Sequence, residues 1–184
     1  MLALAGLDPA GLAAVGPIAG RTDDPPPAVY VSGLADPRIE AELSAAMPAR
    51  PPIVFVDAAH GRDVAHLGSR LAVHEARLGL PDGATAIVAV IGSSLGVLNA
   101  GSFVGASPRL VGLAWDADAL AAELDVSRTS EAGFWSAVLA QARGFVRLAA
   151  AAARIAAIDS DGATQEHDGF SAVLRRAAPG VAVR

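Results

Sequence analysis

The 184-residue sequence contains no cysteine and no lysine, so all 14 of its basic residues are arginines. Without thiols, the protein cannot form disulfides, thiolate nucleophiles or Cys-ligated metal sites. Without a lysine ammonium, it cannot carry out Schiff-base chemistry or form a Walker A phosphate loop. Aromatic residues make up only 4% of the chain although hydrophobic residues make up 53%. The core is therefore built mostly of Ala, Val and Leu, which suit short strands and Ala-rich helices.

The charge balance is mildly acidic, with a formal net charge of −5 and a pI near 5.2. This balance provides no basic surface for nucleic acid. Residues 1–20 are apolar, but they carry no Lys or Arg and are interrupted by Asp8 and Pro9, which is not typical of a signal peptide. No stretch reaches the roughly 18 apolar residues of a membrane span. We therefore expect a cytoplasmic protein without nucleic-acid or membrane partners.

Short apolar runs recur along the chain and predict β-strands at residues 28–31, 53–56, Ala86–Ile91, Leu110–Trp115 and 155–158, with a last candidate at 181–183. Helical segments separate them. One is expected to begin with Asp36 as N-cap and Pro37 in its first position, and another spans residues 61–78 and is closed by Gly79. Continuous apolar strands separated by helices are typical of a parallel sheet covered on both faces. The pattern predicts an α/β fold.

The first part of the chain does not share this pattern. Residues 2–21 have only weak amphipathic spacing, and residues 22–27 (TDDPPP) predict an exposed, stiff connector. Beyond it, a polar or small residue directly follows each predicted strand: Ser32, Asp57, Gly92 with Ser93, Asp116 and Asp159. Ligands of parallel α/β folds bind beyond the carboxyl ends of the strands, so functional residues are expected at these positions.

Residues 87–135, IVAVIGSSLGVLNAGSFVGASPRLVGLAWDADALAAELDVSRTSEAGFW, resemble the citrate lyase beta-subunit-like branch of the HpcH/HpaI aldolase family. The strings GVLNAGSF and ASPRLVGLAW carry most of this resemblance, and segments upstream and downstream extend it. The resemblance implies a (β/α)₈ TIM barrel. It also implies the family's activity, in which Mg²⁺ is used to cleave or form a carbon–carbon bond in acyl-CoA esters. It also implies assembly into oligomers.

The resemblance covers about residues 28–160 of what we interpret as a single (β/α) domain, 1–184. Residues 1–27 form a divergent N-terminal segment with its Pro-rich connector, and residues 161–184 form a shortened C-terminal unit. The family's first two βα units are missing or reduced. Five or six strands cannot close an eight-stranded barrel with the same geometry. We therefore expect a parallel TIM-barrel-like fold that is incomplete or open, with about six strands, or one completed by another chain.

The chemistry implied by the resemblance is also altered. The family's two metal-binding carboxylates, a Glu and an Asp, fall at Gly92 and Ala119, neither of which can ligate through its side chain. The Arg that grips the substrate carboxylate falls at Tyr30, its neighbouring Asn at Ser32, and a Lys at Asp57. No catalytic residue is therefore assigned, and Mg²⁺ is expected only if the protein is an active lyase.

Asp116 and Asp118 are the remaining metal candidates, because a one-residue slip would bring Asp118 towards the family's position. A helix N-cap explains the string WDADAL equally simply, and we favour the cap.

Residues Gly92, Ser93, Ser94 and Gly96 form a weak candidate for a phosphate- or CoA-binding turn at a helix start. Arg109, just ahead of a strand, is interpreted as a structural ion-pair partner. Asp159 is interpreted as a helix cap and not as a base.

The histidines allow a catalytic and a structural interpretation. Asp57 and His60 form a possible acid/base pair, although a polar strand end and a loop residue explain them better. His66 and His74 lie two turns apart on one predicted helix, and a solvated helix face accounts for both.

Three functional hypotheses remain open. The first is a non-catalytic family member that keeps the fold, binds an acyl-CoA or keto-acid ligand, and associates with itself or with a full-length paralogue. The alternative is an active lyase or aldolase acting on a citryl-, malyl- or methylmalyl-CoA-type ester, in which the metal stabilises the enolate. The third is a truncated gene product without selected function.

Overall fold

The structure, a computed structural model, describes residues 2–5, 29–160 and 169–176. Within these residues the chain forms one seven-stranded sheet. Its strands are β1 (Leu2–Ala5), β2 (Val29–Val31), β3 (Ile53–Asp57), β4 (Ala86–Ile91), β5 (Leu110–Trp115), β6 (Ala156–Ser160) and β7 (Ala172–Arg176).

Five α-helices connect and cover the strands. They are α1 (Ile39–Ala46), α2 (Gly61–Arg77), α3 (Ser94–Leu98), α4 (Ala117–Leu124) and α5 (Ala137–Ala153). Short 3₁₀ helices, Met47–Ala49 and Ala100–Phe103, follow α1 and α3. The helix α2 ends as predicted, with Leu78 as C-cap and Gly79 in the left-handed region at φ +66°.

The strand order is β1-β7-β6-β5-β4-β3-β2. Strands β2 to β7 run parallel to their neighbours, whereas β1 pairs antiparallel with β7. Within the described residues β1 and β2 are the two edges, so the sheet does not close. The predicted α/β fold, an open TIM-barrel-like sheet with about six parallel strands, is confirmed.

Both faces of the sheet are buried, as continuous apolar strands predict. In β3, Val54 and Val56 join the main core beneath the helices, whereas Ile53 and Phe55 join a second cluster on the opposite face. The second cluster also contains Val88 and Val90 of β4, Ala114 of β5 and Ile158 of β6. The period-two alternation of each strand thus fills two separate apolar layers.

Some predicted boundaries were wrong. Helix α1 begins at Ile39 with Arg38 as N-cap, because the Asp36 carboxylate binds the Arg38 backbone N–H (2.9 Å) and guanidinium and holds Pro37 in a turn. The final core strand begins at Ala156 and continues to Ser160.

Strand β1 lies where only weak amphipathic spacing was noted, because its four residues are too few to show a period. The predicted connector at 22–27 and the predicted strand at 181–183 lie outside the described residues.

Candidate functional site

The carboxyl edge of the sheet begins at the ends of β2 and β3. The Tyr30 hydroxyl donates a hydrogen bond to the Asp57 carboxylate, which joins the two neighbouring strands. Ser32, just beyond β2, binds the Glu42 carboxylate of α1 through its backbone N–H (2.7 Å) and its hydroxyl (2.9 Å). Positions where the resemblance implies an Arg, an Asn and a Lys are therefore occupied by groups that bond to one another or to α1.

Gly92 and Ala119, where the resemblance implies the two metal-binding carboxylates, lie against each other. A Cβ built on Gly92 would stand 3.0 Å from the Cβ of Ala119 and 3.3 Å from the Cβ of Asp116. Such a contact is tighter than most real Cβ contacts, so the absence of a side chain at Gly92 allows the first turn of α4 to approach β4 closely. The two positions are brought together, but neither provides an oxygen donor.

Asp116 caps α4, as favoured above. Its Oδ1 accepts hydrogen bonds from the backbone N–H groups of Asp118 and Ala119, both at 3.0 Å, and its side chain is buried. Asp118 points elsewhere and forms a half-exposed ion pair with Arg128, at 2.8 Å. The two candidate metal ligands thus have separate partners.

These residues do not fit the magnesium ion that the fold family implies. Mg²⁺ requires several oxygen donors in near-octahedral geometry. Here one candidate carboxylate is committed to a helix cap and the other to a guanidinium. In the part of the chain that the structure describes, no three His, Asp or Glu side chains cluster in a way that could hold a metal.

Two backbone N–H groups and one hydroxyl of the candidate anion-binding turn at 92–96 are bonded within the chain. Ser93 is the N-cap of the five-residue helix α3, and its hydroxyl accepts from the Gly96 N–H at 3.1 Å. Ser94 donates its backbone N–H (3.1 Å) and its hydroxyl (2.5 Å) to the carboxylate of Glu123 on α4. A carboxylate of this chain therefore lies where a phosphate was predicted, and the prediction of phosphate or CoA contact stays untested.

The histidines take structural positions. His60 is the N-cap of α2, where its ring accepts from the Arg62 N–H and Asp63 bonds back to the His60 N–H in a capping box. His66 is exposed, as predicted for a solvated face. His74 is not: it is buried, and its Nε2 lies 3.3 Å from the Glu40 carboxylate of α1, because the two helices pack together at that turn.

Arg109 is an ion-pair partner, as predicted, at the amino edge of the sheet. Its guanidinium grips both carboxylate oxygens of the fully buried Glu75 (2.8 and 2.7 Å) and also contacts Asp82. Glu75 accepts further bonds from the backbone N–H groups of Thr85 and Gly83. Burial alone would raise the pKa of Glu75, but the bonds from Arg109, Thr85 and Gly83 together lower it below its usual value.

Asp159 was predicted to cap a helix, but the residues that it would cap, from 161 onwards, lie outside the described residues. It lies buried within β6, where it accepts from the Trp115 indole N–H (2.7 Å) and from the Arg143 guanidinium (2.7 Å). Sequence reasoning missed Arg143. The available signal was its position on the apolar face of α5, four residues after Leu139 and three before Val146, where a charged residue needs a buried partner.

Most of the chain matches the profile of one protein family. The profile of the HpcH/HpaI aldolase/citrate lyase family matches residues 27–183. No curated protein sequence matches the chain.

No helix among the described residues is both long and apolar enough to cross a membrane.

Solved structures share the fold at low sequence identity. CitE from Mycobacterium tuberculosis, in complex with magnesium and acetate, is 22% identical with a TM-score of 0.59, over 74% of this chain and 53% of CitE. RipC from Yersinia pestis is 24% identical with a TM-score of 0.61, over 80% of this chain and 69% of RipC. A citrate lyase from Burkholderia xenovorans is 12% identical with a TM-score of 0.65, over 77% of this chain and 46% of that protein.

The chain spans little more than half of CitE and less than half of the Burkholderia protein. The family profile nevertheless covers most of its length, and its open parallel sheet matches part of the fold of these structures. The chain belongs to the HpcH/HpaI aldolase/citrate lyase family.

Proposed function

We propose that this protein is a non-catalytic homologue of the magnesium-dependent CoA-ester carbon–carbon lyases. The observation that carries the proposal is the contact between Gly92 and Ala119. It brings the two implied metal positions together, but neither side chain has an oxygen atom that could bind a metal. Asp116 and Asp118 do not compensate, because a helix cap and an ion pair engage them. The active-lyase alternative has no comparable observation in its favour.

The substrate side of the edge supports the same proposal. Relatives bind anionic ligands: CitE from Mycobacterium tuberculosis has been solved with magnesium, acetoacetate and coenzyme A, and the citrate lyase beta subunit with oxaloacetate. In this chain the strand ends provide Tyr30, Ser32 and Asp57, and none of these is a cation. A keto acid approaching them would meet the Asp57 carboxylate, and like charges repel.

The expected loss of rate is large. Removing one group that stabilises the developing charge of a transition state typically costs about 10²–10³-fold in rate. Where the resemblance implies two metal-binding carboxylates, this chain has Gly92 and Ala119. Where it implies an Arg and a Lys, this chain has Tyr30 and Asp57. A residual activity above the uncatalysed background is therefore not expected.

A direct test is titration calorimetry of the whole chain with Mg²⁺ in the presence of oxaloacetate or pyruvate, together with a lyase assay on citryl-CoA and malyl-CoA. We expect neither binding heat at micromolar concentrations nor turnover, whereas a full-length catalytic relative in the same buffer shows both. A clear micromolar heat with magnesium, or measurable cleavage of either ester, would restore the lyase interpretation.

The proposed role is that of a cytoplasmic partner subunit that associates with a second copy or with a full-length paralogue. An apolar surface on α3, the following 3₁₀ helix and α5 supports self-association. Leu98 is 80% exposed, Leu148 68% and Phe145 45%, and these residues line a groove of about 370 Å³. No charged residue occurs between Gly92 and Pro108, the part of this surface that α3 and the 3₁₀ helix provide, and an uncharged apolar patch of this kind is typical of an interaction site.

Size-exclusion chromatography with light scattering tests this role. We expect a dimer or larger assembly that Leu148→Arg converts to monomer, because the substitution puts a charge into the apolar surface. Val73→Arg is the matched control, since Val73 is 51% exposed on α2, away from the groove. A wild-type monomer that also fails to co-purify with a full-length paralogue would contradict the partner role.

A further inference from the structure

Parallel α/β folds bind their ligands at the carboxyl edge of the sheet. We propose that in this chain the carboxyl edge is a structural seam, a set of hydrogen bonds that holds neighbouring βα units together. The inference rests on the proposed function, because a seam cannot also present its polar groups to a substrate. It goes further by assigning a different physical role to the residues at the old site.

The seam consists of hydrogen bonds that cross between elements. Tyr30 to Asp57 joins the ends of β2 and β3, and Ser32 to Glu42 joins the end of β2 to α1. Ser94 to Glu123 joins α3 to α4. Each bond pairs a hydroxyl with a carboxylate, and such charge-assisted bonds are stronger than neutral ones.

Two glycines close to these bonds mark close approaches of the backbone. A Cβ on Gly92 would stand 3.0 Å from the Ala119 Cβ, and a Cβ on Gly33 would stand 3.1 Å from the Asp57 carbonyl oxygen. A side chain at either glycine would therefore be tightly packed against the neighbouring element. A ligand-binding edge needs the opposite arrangement, with polar groups that face a cavity.

A ligand-binding role and a seam role predict opposite changes in stability for the same substitution. Polar residues of a functional site are often kept at a cost in stability, so replacing them tends to stabilise the protein. Residues of a seam bond to each other, so removing one partner breaks a bond that joins two elements and lowers stability. The melting temperature of conservative variants therefore distinguishes the roles without any assay of activity.

The experiment is a double-mutant cycle on the whole chain with Tyr30→Phe, Asp57→Asn and the double variant, followed by thermal unfolding. We expect each single substitution to lower the melting temperature by roughly 2–4 °C, the shift that the loss of one hydrogen bond produces in a chain of this size. The double variant should lower it by clearly less than the sum of the two single shifts. The matched control is a cycle on the exposed pair Arg70 and Glu40, using Arg70→Gln and Glu40→Gln, for which the shifts should be small and nearly additive.

A second cycle with Ser94→Ala and Glu123→Gln provides an independent measurement if one of the first variants does not fold. A rise in melting temperature in Tyr30→Phe or Asp57→Asn, or strictly additive shifts in both cycles, would overturn the seam. Turnover or magnesium binding by the wild-type chain would instead overturn the proposed function, and neither result alters the cycles. The two failures are therefore distinguishable.

Discussion

The amino and carboxyl edges of the sheet both hold carboxylates, but they satisfy them by different means. At the amino edge, Glu75 is fully buried and faces the Arg109 guanidinium, so a full ion pair is removed from water. At the carboxyl edge, Asp57 and Glu42 are bonded to hydroxyl groups, and Asp116 to backbone N–H groups. In α/β barrels the first edge ordinarily serves stability and the second carries function.

Both edges thus hold their carboxylates through bonds within the chain. The bonds of Asp57 and Glu42 differ from that of Glu75 in being less buried and in involving hydroxyl groups instead of a guanidinium. The amino edge should therefore be the more sensitive to mutation. The carboxyl edge should respond in the same direction but by a smaller amount.

The largest effect is expected from Arg109→Ala. It leaves Glu75 buried without its guanidinium partner, and breaking such a pair costs about 3–5 kcal/mol of unfolding free energy. Denaturant unfolding measures the loss. Arg70→Ala is the matched control, because the Arg70–Glu40 pair is largely exposed and should contribute less than about 1 kcal/mol. Equal losses in the two variants would contradict the special role of the amino edge.

Acid should weaken the amino edge. The pKa of Glu75 lies below its usual 4.5, because bonds from Arg109 and two backbone N–H groups outweigh the effect of burial. A lowered folded-state pKa contributes stability above about pH 4.5, and that contribution is lost as the pH falls through the folded-state value. The stability gap between wild type and Glu75→Gln should therefore be constant near neutral pH and shrink below pH 4.5. A gap that widens in acid would contradict the assignment.

At the carboxyl edge, Gly92→Ala introduces a Cβ only 3.0 Å from that of Ala119, so the first turn of α4 must shift. Overpacking of this kind costs about 1–3 kcal/mol. Gly144→Ala is the matched control: a Cβ there meets nothing within 4 Å, and it lies in α5, so Ala should stabilise the helix by roughly 0.5–1 kcal/mol. Chemical denaturation should thus show opposite signs for the two substitutions.

Adding Ala119→Gly to Gly92→Ala removes the opposing Cβ and should recover part of the loss, although Gly is a poorer helix former than Ala. No recovery at all would mean that the two positions do not meet as the structure has them, and the matching of the metal positions would then fail with it.

The sheet was largely predictable from the sequence, because its signal is local. Strands Ala86–Ile91 and Leu110–Trp115 are continuous apolar runs, and both lie where predicted since strands buried on two faces need apolar residues throughout. The antiparallel strand Leu2–Ala5 was not predicted, because four apolar residues are compatible with helix or strand and only the pairing with Ala172–Arg176 decides between them.

The charged residues of the interior were harder to predict, because their partners are distant in sequence. Asp159 bonds to Trp115, 44 residues away, and Arg143 reaches Asp159 from a different element. His74 was assigned with His66 to a solvated helix face, and only the packing of α1 against α2 buries it beside Glu40. Asp116, by contrast, was predictable as a cap, since an N-cap bonds to residues two and three positions ahead.

The smallest of these effects distinguishes the cap at Asp116 from a metal ligand. Asn and Asp cap helices about equally well, whereas Ala does not, so Asp116→Ala should cost about 1 kcal/mol and Asp116→Asn nearly nothing. A magnesium ligand should behave differently, because the neutral amide of Asn replaces the anionic oxygen that this ion prefers. Thermal unfolding of the three proteins with and without millimolar Mg²⁺ separates the two roles. A cap gives the same ranking in both buffers, whereas a magnesium-dependent stabilisation of wild type that Asp116→Asn abolishes would show that the carboxyl edge still serves a metal.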